Sequence, residues 1–285
     1  MCEDKLGRIP ITNDFMFCRV MAKPDICRAF LQALLPEISV GRVTYPKSQY
    51  SIEEQAESRG IRLDVYTKDE SRVYNIEMQC ARVDDLPRRS RYYLGRIDGD
   101  LLGKGQAYAT LRESYVIFIC TFDPFGKKFP LYHFENRCRE DPTLFLNDGT
   151  YKIFVYTGGK SDMVSPDLAA LLAYFEDAAA KKENALIKAI DHEVDIANRD
   201  ADWRRKMLTL EMKMNDQRLL GWKEGRSEGL REGRSEGLHE GEVKTNRKNA
   251  LKMLRENCDP TFISKITGLS EKEILSLRNK NESEI

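Results

Sequence analysis

The order of strand-like and helical segments constrains the fold of this 285-residue chain most. Segments rich in β-branched and aromatic residues predict strands, and a long segment whose apolar residues recur at helical spacing lies between the third and the fourth. This order is typical of α/β domains, in which helices cover a central sheet. The predicted strands are residues 39–45, 60–67, 72–80 and 114–122, and the helical segment is 86–111.

Shorter elements flank this core. The N-terminal segment predicts one helix that begins after Thr12 or Asn13, either of which can cap it, and a second helix over residues 24–35. Three short strands follow the core, and the last two are expected to pair through a hairpin turn at 147–149, where Asn-Asp-Gly is a turn signal. These strands are residues 131–136, 144–146 and 151–157.

The rest of the chain is predicted to be helical and contains an internal repeat. Glycine recurs at every fourth residue from Gly221 to Gly241, and glutamate follows the same spacing. Glycine costs a helix interior about 1 kcal/mol relative to alanine. The repeat is therefore either a charged linker helix or a glycine stripe that lets two helices approach as in a coiled coil, which would make the protein a homo-oligomer. The predicted sections are an α/β domain at 1–160, a helical extension at 161–220, the repeat at 221–245 and a small helical module at 246–285.

The C-terminal module contains two predicted helices joined by a short turn. The first covers residues 260–267, Thr267 and Gly268 supply the turn, and Ser270 with Glu273 fits a capping box at the start of the second helix. Such a pair is either a simple helical hairpin or a helix-turn-helix.

Composition excludes several classes of function. The 46 lysines and arginines balance 46 aspartates and glutamates, which excludes a uniformly basic protein but not a local basic groove. The three histidines and seven scattered cysteines show no zinc-ligand spacing, and the cysteines indicate a reducing, cytoplasmic location. No apolar run is long enough to cross a membrane. Residues 158–161 lack the first glycine of a phosphate-binding loop, so we expect no nucleotide cofactor.

The candidate chemistry lies on the second and third predicted strands. Because side chains alternate between the faces of a strand, Asp64 lies on the polar face of one strand, and Glu77 and Gln79 lie on the polar face of the next. The connection 68–71 is short enough for a hairpin, which would set the two carboxylates side by side. Adjacent carboxylates repel unless they share a proton or bind a hard divalent cation such as Mg²⁺. The alternative is a solvated sheet face with ordinary surface charges.

A basic and aromatic cluster begins the long helical segment. Its place just after the two carboxylates in the sequence predicts contacts with the phosphates of DNA. The alternative is a solvated amphipathic helix. The cluster consists of Arg88, Arg89, Arg91, Tyr92 and Arg96.

Asp64 followed by Glu77-Met78-Gln79 resembles the PD-(D/E)xK nuclease signature in a form that ends in glutamine. The surrounding motifs are similar to one branch, the recombination-promoting nucleases, also called PD-(D/E)xK nuclease family transposases. The resemblance covers most of the chain and is strongest over residues 10–120. The motifs that carry it are 12–17, 62–65, 76–79 and 91–93, Gly105 with Tyr108, and the Glu-Gly repeats.

The resemblance implies a restriction-endonuclease-like core, in which helices flank a mixed central sheet, ahead of an extended helical C-terminal region. It also implies metal-dependent cleavage of DNA phosphodiesters, with one or two Mg²⁺ ions and a role in recombination or mobile elements. Asp64 and Glu77 match the metal-binding carboxylates, and Asp14 on the opening helix matches a further acidic position of the wider superfamily. Gln79 stands where many relatives have lysine.

The sequence departs from the signature at two positions. Leu63 replaces its proline, and Gln79 replaces a cation that would stabilise developing negative charge. Glutamine can only orient a water molecule by hydrogen bonding. Either the metal therefore carries more of the catalysis, or Arg82 or Arg91 supplies the charge, or activity is weak. We predict a Mg²⁺-dependent DNA endonuclease; the alternative is a non-catalytic DNA-binding or assembly protein with a degenerate site.

Overall fold

The computed structural model describes residues 7–44, 47–52, 61–180 and 183–282. The chain divides into two compact units, Met1–Met207 and Leu208–Ile285. The first unit is built on a β-sheet, and each described element of the second unit is a helix.

A mixed six-stranded sheet organises the first unit, with its strands in the order β1-β2-β3-β4-β6-β5. The first three strands are antiparallel neighbours, β4 is parallel to both β3 and β6, and β5 pairs antiparallel with β6. A parallel pair requires a crossover connection, and helix α3 lies in the one between β3 and β4. The strands are β1 (Lys47–Ile52), β2 (Ile61–Lys68), β3 (Arg72–Gln79), β4 (Glu113–Cys120), β5 (Leu131–Phe134) and β6 (Thr150–Tyr156).

Helices cover this sheet, as expected for an α/β domain. Each residue of β3 from Val73 to Gln79 is buried, so both faces of this strand are covered. Helix α1 contacts β1, β2 and β3, and α3 contacts β4. The helices of the unit are α1 (Asp14–Met21), α2 (Pro24–Leu34), α3 (Leu86–Leu101), α4 (Pro166–Glu176) and α5 (Ala185–Arg199).

The first helix starts at one of the two predicted caps. The Asn13 side chain accepts hydrogen bonds from the backbone N–H groups of Phe15 and Met16, and so satisfies donors that have no partner within the helix. The predicted second helix is also confirmed as α2, with Pro24 in its first turn.

The predicted strand at 39–45 is wrong. Residues 39–44 form no strand, and residue 45 lies outside the described residues. Side chains hold this backbone instead: Val40 bonds to Gln32 and Arg28, and the Gly41 N–H donates to Asp69. The outer strand is β1, which the sequence did not predict because its residues 47–52 are mostly polar.

Two further predictions need correction. The helix predicted over 86–111 ends at Leu101, and Gly105 then adopts a φ of +83°, which a right-handed helix excludes. The predicted hairpin between 144–146 and 151–157 does not form. Phe145 makes an isolated bridge with Arg137, while β6 pairs with β4 and β5. The Asn-Asp-Gly signal corresponds to a bend at Gly149, which has a φ of +70°, and it does not pair 144–146 with β6.

The second unit contains the helical module predicted from the C-terminal sequence. Helix α6 runs from Ala201 to Arg255, and α7 (Pro260–Thr267) and α8 (Glu271–Glu282) follow. Gly268, with a φ of +69°, ends α7, and the hydroxyl and backbone N–H of Ser270 both donate to Glu273, which confirms the capping box. A small core joins the three helices; it contains Ala250, Ile263, Leu269 and Ile274.

The glycine repeat lies inside α6 and is helical throughout. From Gly221 to Gly241, each residue of the repeat is exposed, and no atom outside the local helix lies within 4 Å of the position where a glycine Cβ would be. Both interpretations of the repeat assumed a helix, so the choice between linker and self-association stays a prediction. Within the described parts of the chain, no helix combines the length and the apolar character needed to cross a lipid bilayer.

Candidate active site

The β2–β3 hairpin brings the two predicted carboxylates together. Val65 pairs with Ile76 and Tyr66 pairs with Asn75, so the antiparallel register continues to Asp64 opposite Glu77. The hairpin that the sequence predicted is therefore confirmed. Because opposite residues share a face, both carboxylates lie on the side of the sheet that α3 covers.

The Glu77 carboxylate is buried and fully engaged. Its side chain is 1% exposed, which excludes a solvated surface charge at this position. One oxygen, Oε1, accepts hydrogen bonds from the backbone N–H of Asp64 at 3.2 Å and from Nδ2 of Asn75 at 3.0 Å. The other oxygen, Oε2, accepts from Nη2 of Arg89 at 3.1 Å.

Hydrogen bonds connect Asp64 to strand β3 and to helix α1. Its Oδ2 accepts a hydrogen bond from the backbone N–H of Met78 at 3.2 Å, so the two strands exchange side chain-to-backbone bonds. The Cys18 thiol of α1 donates to the Asp64 carbonyl at 3.2 Å. Asp64 is only half-buried, which leaves the pair accessible from its side.

Burial raises the pKa of Glu77 well above its ordinary value, and the charge of Asp64 raises it further. The guanidinium of Arg89 and the hydrogen bonds from Asn75 and the Asp64 backbone offset part of this rise. The pair therefore consists of two acids whose charges oppose each other, and it gains from any cation placed beside them.

The structure places the guanidinium of Arg89 beside this pair. It lies in the first turns of α3, and its Nη1 donates to Oε1 of Gln79 at 2.9 Å while its Nε donates to the Tyr93 hydroxyl at 2.9 Å. The guanidinium carbon lies 5.3 Å from the ring centroids of both Tyr93 and Phe118, within the usual range of a cation–π contact. Arg89 thus bridges Glu77 and Gln79.

One of the three explanations for Gln79 named Arg82 or Arg91 as the source of the missing charge, and the structure places a different arginine, Arg89, beside the pair. Both of those side chains are exposed, whereas Arg89 reaches inward from α3. Gln79 is itself held at both ends, because its Nε2 donates to the Ala81 carbonyl at 2.6 Å and its Oε1 accepts from Arg89.

Sequence reasoning missed the inward direction of Arg89 and the roles of Asn75 and Tyr93. The signals that could have found the last two are spacings: Asn75 is two residues from Glu77 on one strand, and Tyr93 is one helical turn after Arg89. No comparable signal showed which arginine of α3 points at the sheet.

The chemistry of the donor set fits a hard divalent cation. Asp64 and Glu77 offer carboxylate oxygens from adjacent strands, and such oxygens are the ligands that Mg²⁺ prefers. The described residues contain no group of three or more histidine, cysteine, aspartate or glutamate side chains placed to hold a metal. Asp14, the third predicted ligand, is exposed at the start of α1, and its charge, after burial, contributes to a raised pKa of Cys80.

The predicted DNA-contacting cluster divides into two groups. Arg88, Arg91 and Tyr92 are exposed on α3, and their spacing of three and four residues places them on one face of the helix. Arg89 and Arg96 are half-buried. The exposed group thus presents two positive charges and an aromatic ring on the helix whose inner side reaches the carboxylate pair.

The mixed sheet, the flanking helices and the long helical C-terminal region agree with a restriction-endonuclease-like fold of the PD-(D/E)XK class. Residues 11–141 match the model of a protein family described as PD-(D/E)XK nuclease family transposase. This match confirms the resemblance drawn from the motifs and indicates a nuclease of a kind associated with mobile elements. No curated protein matches the chain, and no solved structure matches it.

Proposed function

We propose that this protein is a divalent-cation-dependent DNA endonuclease that hydrolyses phosphodiester bonds and acts in recombination or on mobile elements. The observation that carries the proposal is the meeting of Asp64 and Glu77 on adjacent strands, with Arg89 beside them. The family match over residues 11–141 supports a nuclease.

Each residue of the site has a separate role. Asp64 and Glu77 would hold one or two Mg²⁺ ions, which supply charge stabilisation at the phosphate and lower the pKa of water. The Met78 backbone N–H and Asn75 fix the direction of the carboxylate oxygens. Gln79, whose Oε1 accepts a hydrogen bond from Arg89 in the metal-free protein, offers an amide that orients the attacking water.

DNA binding is assigned to the exposed side of α3. Arg88 and Arg91 contact phosphates through charge-assisted hydrogen bonds, and Tyr92 packs against a sugar or a base. These contacts read the backbone rather than the base sequence, so we expect binding that weakens steeply with salt.

The test is nicking of supercoiled plasmid by the parent and by Asp64→Asn. The substitution keeps the shape of the side chain and removes its charge, so we expect Mg²⁺-dependent nicking to fall by about a hundredfold or more. Asp162→Asn, an exposed acid in a short 3-10 turn, is the matched control and should nick like the parent. Addition of EDTA should stop the parent enzyme. Equal nicking by Asp64→Asn and the parent would refute the assignment.

A non-catalytic DNA-binding or assembly protein is the second candidate. It is favoured by the engagement of both Glu77 oxygens with protein donors. In that case, a gel shift in EDTA would show DNA binding, while purified protein would leave plasmid intact with Mg²⁺ and with Mn²⁺. Cleavage that depends on Asp64 would exclude it.

A further inference from the structure

We propose that Arg89 is an exchangeable counter-ion of the carboxylate pair: it holds Glu77 in the metal-free protein, and a divalent cation takes its place there. This inference rests on the proposed function, because it concerns the same site. It makes Arg89 a positioning residue whose two locations correspond to the metal-free and the metal-bound protein.

The two oxygens of Glu77 have different hydrogen-bond partners. Oε1 already accepts two hydrogen bonds, from the Asp64 backbone and from Asn75, both of which belong to the sheet itself. Arg89 alone holds Oε2 among the hydrogen bonds of the described residues. A cation that binds Glu77 must therefore approach Oε2, the oxygen that the guanidinium occupies. Two positive charges at one oxygen repel each other, so the cation and the guanidinium compete for it.

Both neutral and charged groups hold Arg89 in place. Its hydrogen bonds to Gln79 and Tyr93 and its contacts with the rings of Tyr93 and Phe118 all involve neutral groups. Glu77 supplies the charged hydrogen-bond partner. Hydrogen bonds to a charged partner are about twice as strong as neutral ones. A cation that neutralises Glu77 removes the strongest of these contacts and adds repulsion.

Arg89 can reach solvent from its position beside the pair. Its side chain is 31% exposed, so it has a path to solvent. Arg88 and Arg91, its neighbours on α3, are exposed on the side proposed to contact phosphates. A displaced Arg89 would join them and supply the positive charge that Gln79 cannot.

Calorimetric titration of metal-free protein with Mn²⁺ at pH 8, without DNA, tests the exchange. Arg89→Met keeps most of the apolar length of the side chain and removes the competing charge. We expect it to bind Mn²⁺ about tenfold more tightly than the parent, within the usual range of coupling between two ligands. Arg82→Met removes an exposed arginine that follows β3 and should bind Mn²⁺ like the parent. Asp64→Asn should lose the binding.

A second measurement uses the unaltered protein and so does not depend on the folding of a variant. Arginine labelled with ¹⁵N gives a signal for the Nε–H of Arg89, assigned by its loss in Arg89→Lys. That N–H donates to the Tyr93 hydroxyl in the structure. Addition of Mg²⁺ should shift the signal toward that of a solvent-exposed arginine.

The outcomes separate the two proposals. Tighter Mn²⁺ binding by Arg89→Met together with a moving Arg89 signal supports the exchange. Mn²⁺ binding that depends on Asp64 but is unchanged or weaker in Arg89→Met, with a static Arg89 signal, overturns the exchange and leaves the nuclease proposal standing. Absence of Asp64-dependent binding in both the parent and Arg89→Met overturns both.

Discussion

At the scale of single residues, a second buried carboxylate shows how firmly the hairpin beneath the site is held. Asp69 is 4% exposed and accepts hydrogen bonds from the backbone N–H groups of Gly41, Ser71 and Arg72 and from the hydroxyl of Tyr74. Burial alone would raise the pKa of Asp69, but these four hydrogen bonds outweigh it and lower the pKa below its ordinary value.

Substitution of Asp69 tests whether these hydrogen bonds stabilise the fold. Asp69→Asn should lower the free energy of unfolding at pH 7 by about 2–3 kcal/mol, because the amide cannot accept all four bonds. The folded pKa of Asp69 lies below the unfolded one, so its contribution is present above pH 4 and is lost as the pH falls through the folded pKa. Urea unfolding from pH 7 to pH 3 should therefore show a smaller loss of stability in the variant. Parallel curves for the two proteins would contradict this account.

The positions of the site residues on the strands could be predicted from the sequence, whereas the contact of Arg89 with this pair could not. The period of two in a strand sets the direction of each side chain, and the short connection sets the register. These local features were enough to predict that Asp64 and Glu77 lie side by side on one face of the sheet. A helix such as α3 has arginines on more than one side, and its rotation about its own axis depends on packing against Phe118 and its neighbours.

At the scale of elements, the long helix α6 is held in place by few tertiary contacts around its repeat. The positions above Gly229 and Gly233 are open. Replacing both glycines by alanine should stabilise an isolated helix by about 1 kcal/mol at each position. If the glycines instead form a contact between two copies, alanine would hinder their approach and weaken self-association.

Circular dichroism and sedimentation over a range of protein concentrations separate these outcomes. A charged linker helix predicts that the double alanine variant gains helical signal and that the sedimentation of both proteins is independent of concentration. A glycine-stripe interface predicts that the parent dissociates on dilution and that the variant does so at higher concentration. Unchanged helicity and unchanged association would argue against both interpretations.

The helices and central strands were easier to predict than the sheet edges. Caps and apolar spacing are local, so α1, α2, α7 and the start of α8 followed from the sequence. Edge strand β1 is polar, and the partner of β6 is decided by tertiary pairing rather than by the turn before it. Local signals at 147–149 therefore marked the bend at Gly149 that precedes β6, but not the strands that pair with β6.

At the scale of the whole molecule, the residues of the proposed chemistry lie in the first unit. The family match, at residues 11–141, falls within the same unit. The carboxylate pair and Arg89 lie within the 26 residues from Asp64 to Arg89. Because this segment is short, much of the site could be predicted from local sequence patterns. The second unit adds a capped pair of helices with its own small core, and whether that pair reads DNA stays a prediction.

The central claim is that Asp64 and Glu77 together hold a divalent cation. Crystals of the protein grown with Mn²⁺, measured at the manganese absorption edge, test it most directly. We expect an anomalous peak about 2–2.5 Å from a carboxylate oxygen of each residue, with the Arg89 guanidinium moved away from Glu77. A protein crystallised with Mn²⁺ that shows no peak between these two side chains, while Arg89 stays on Glu77, would contradict the account.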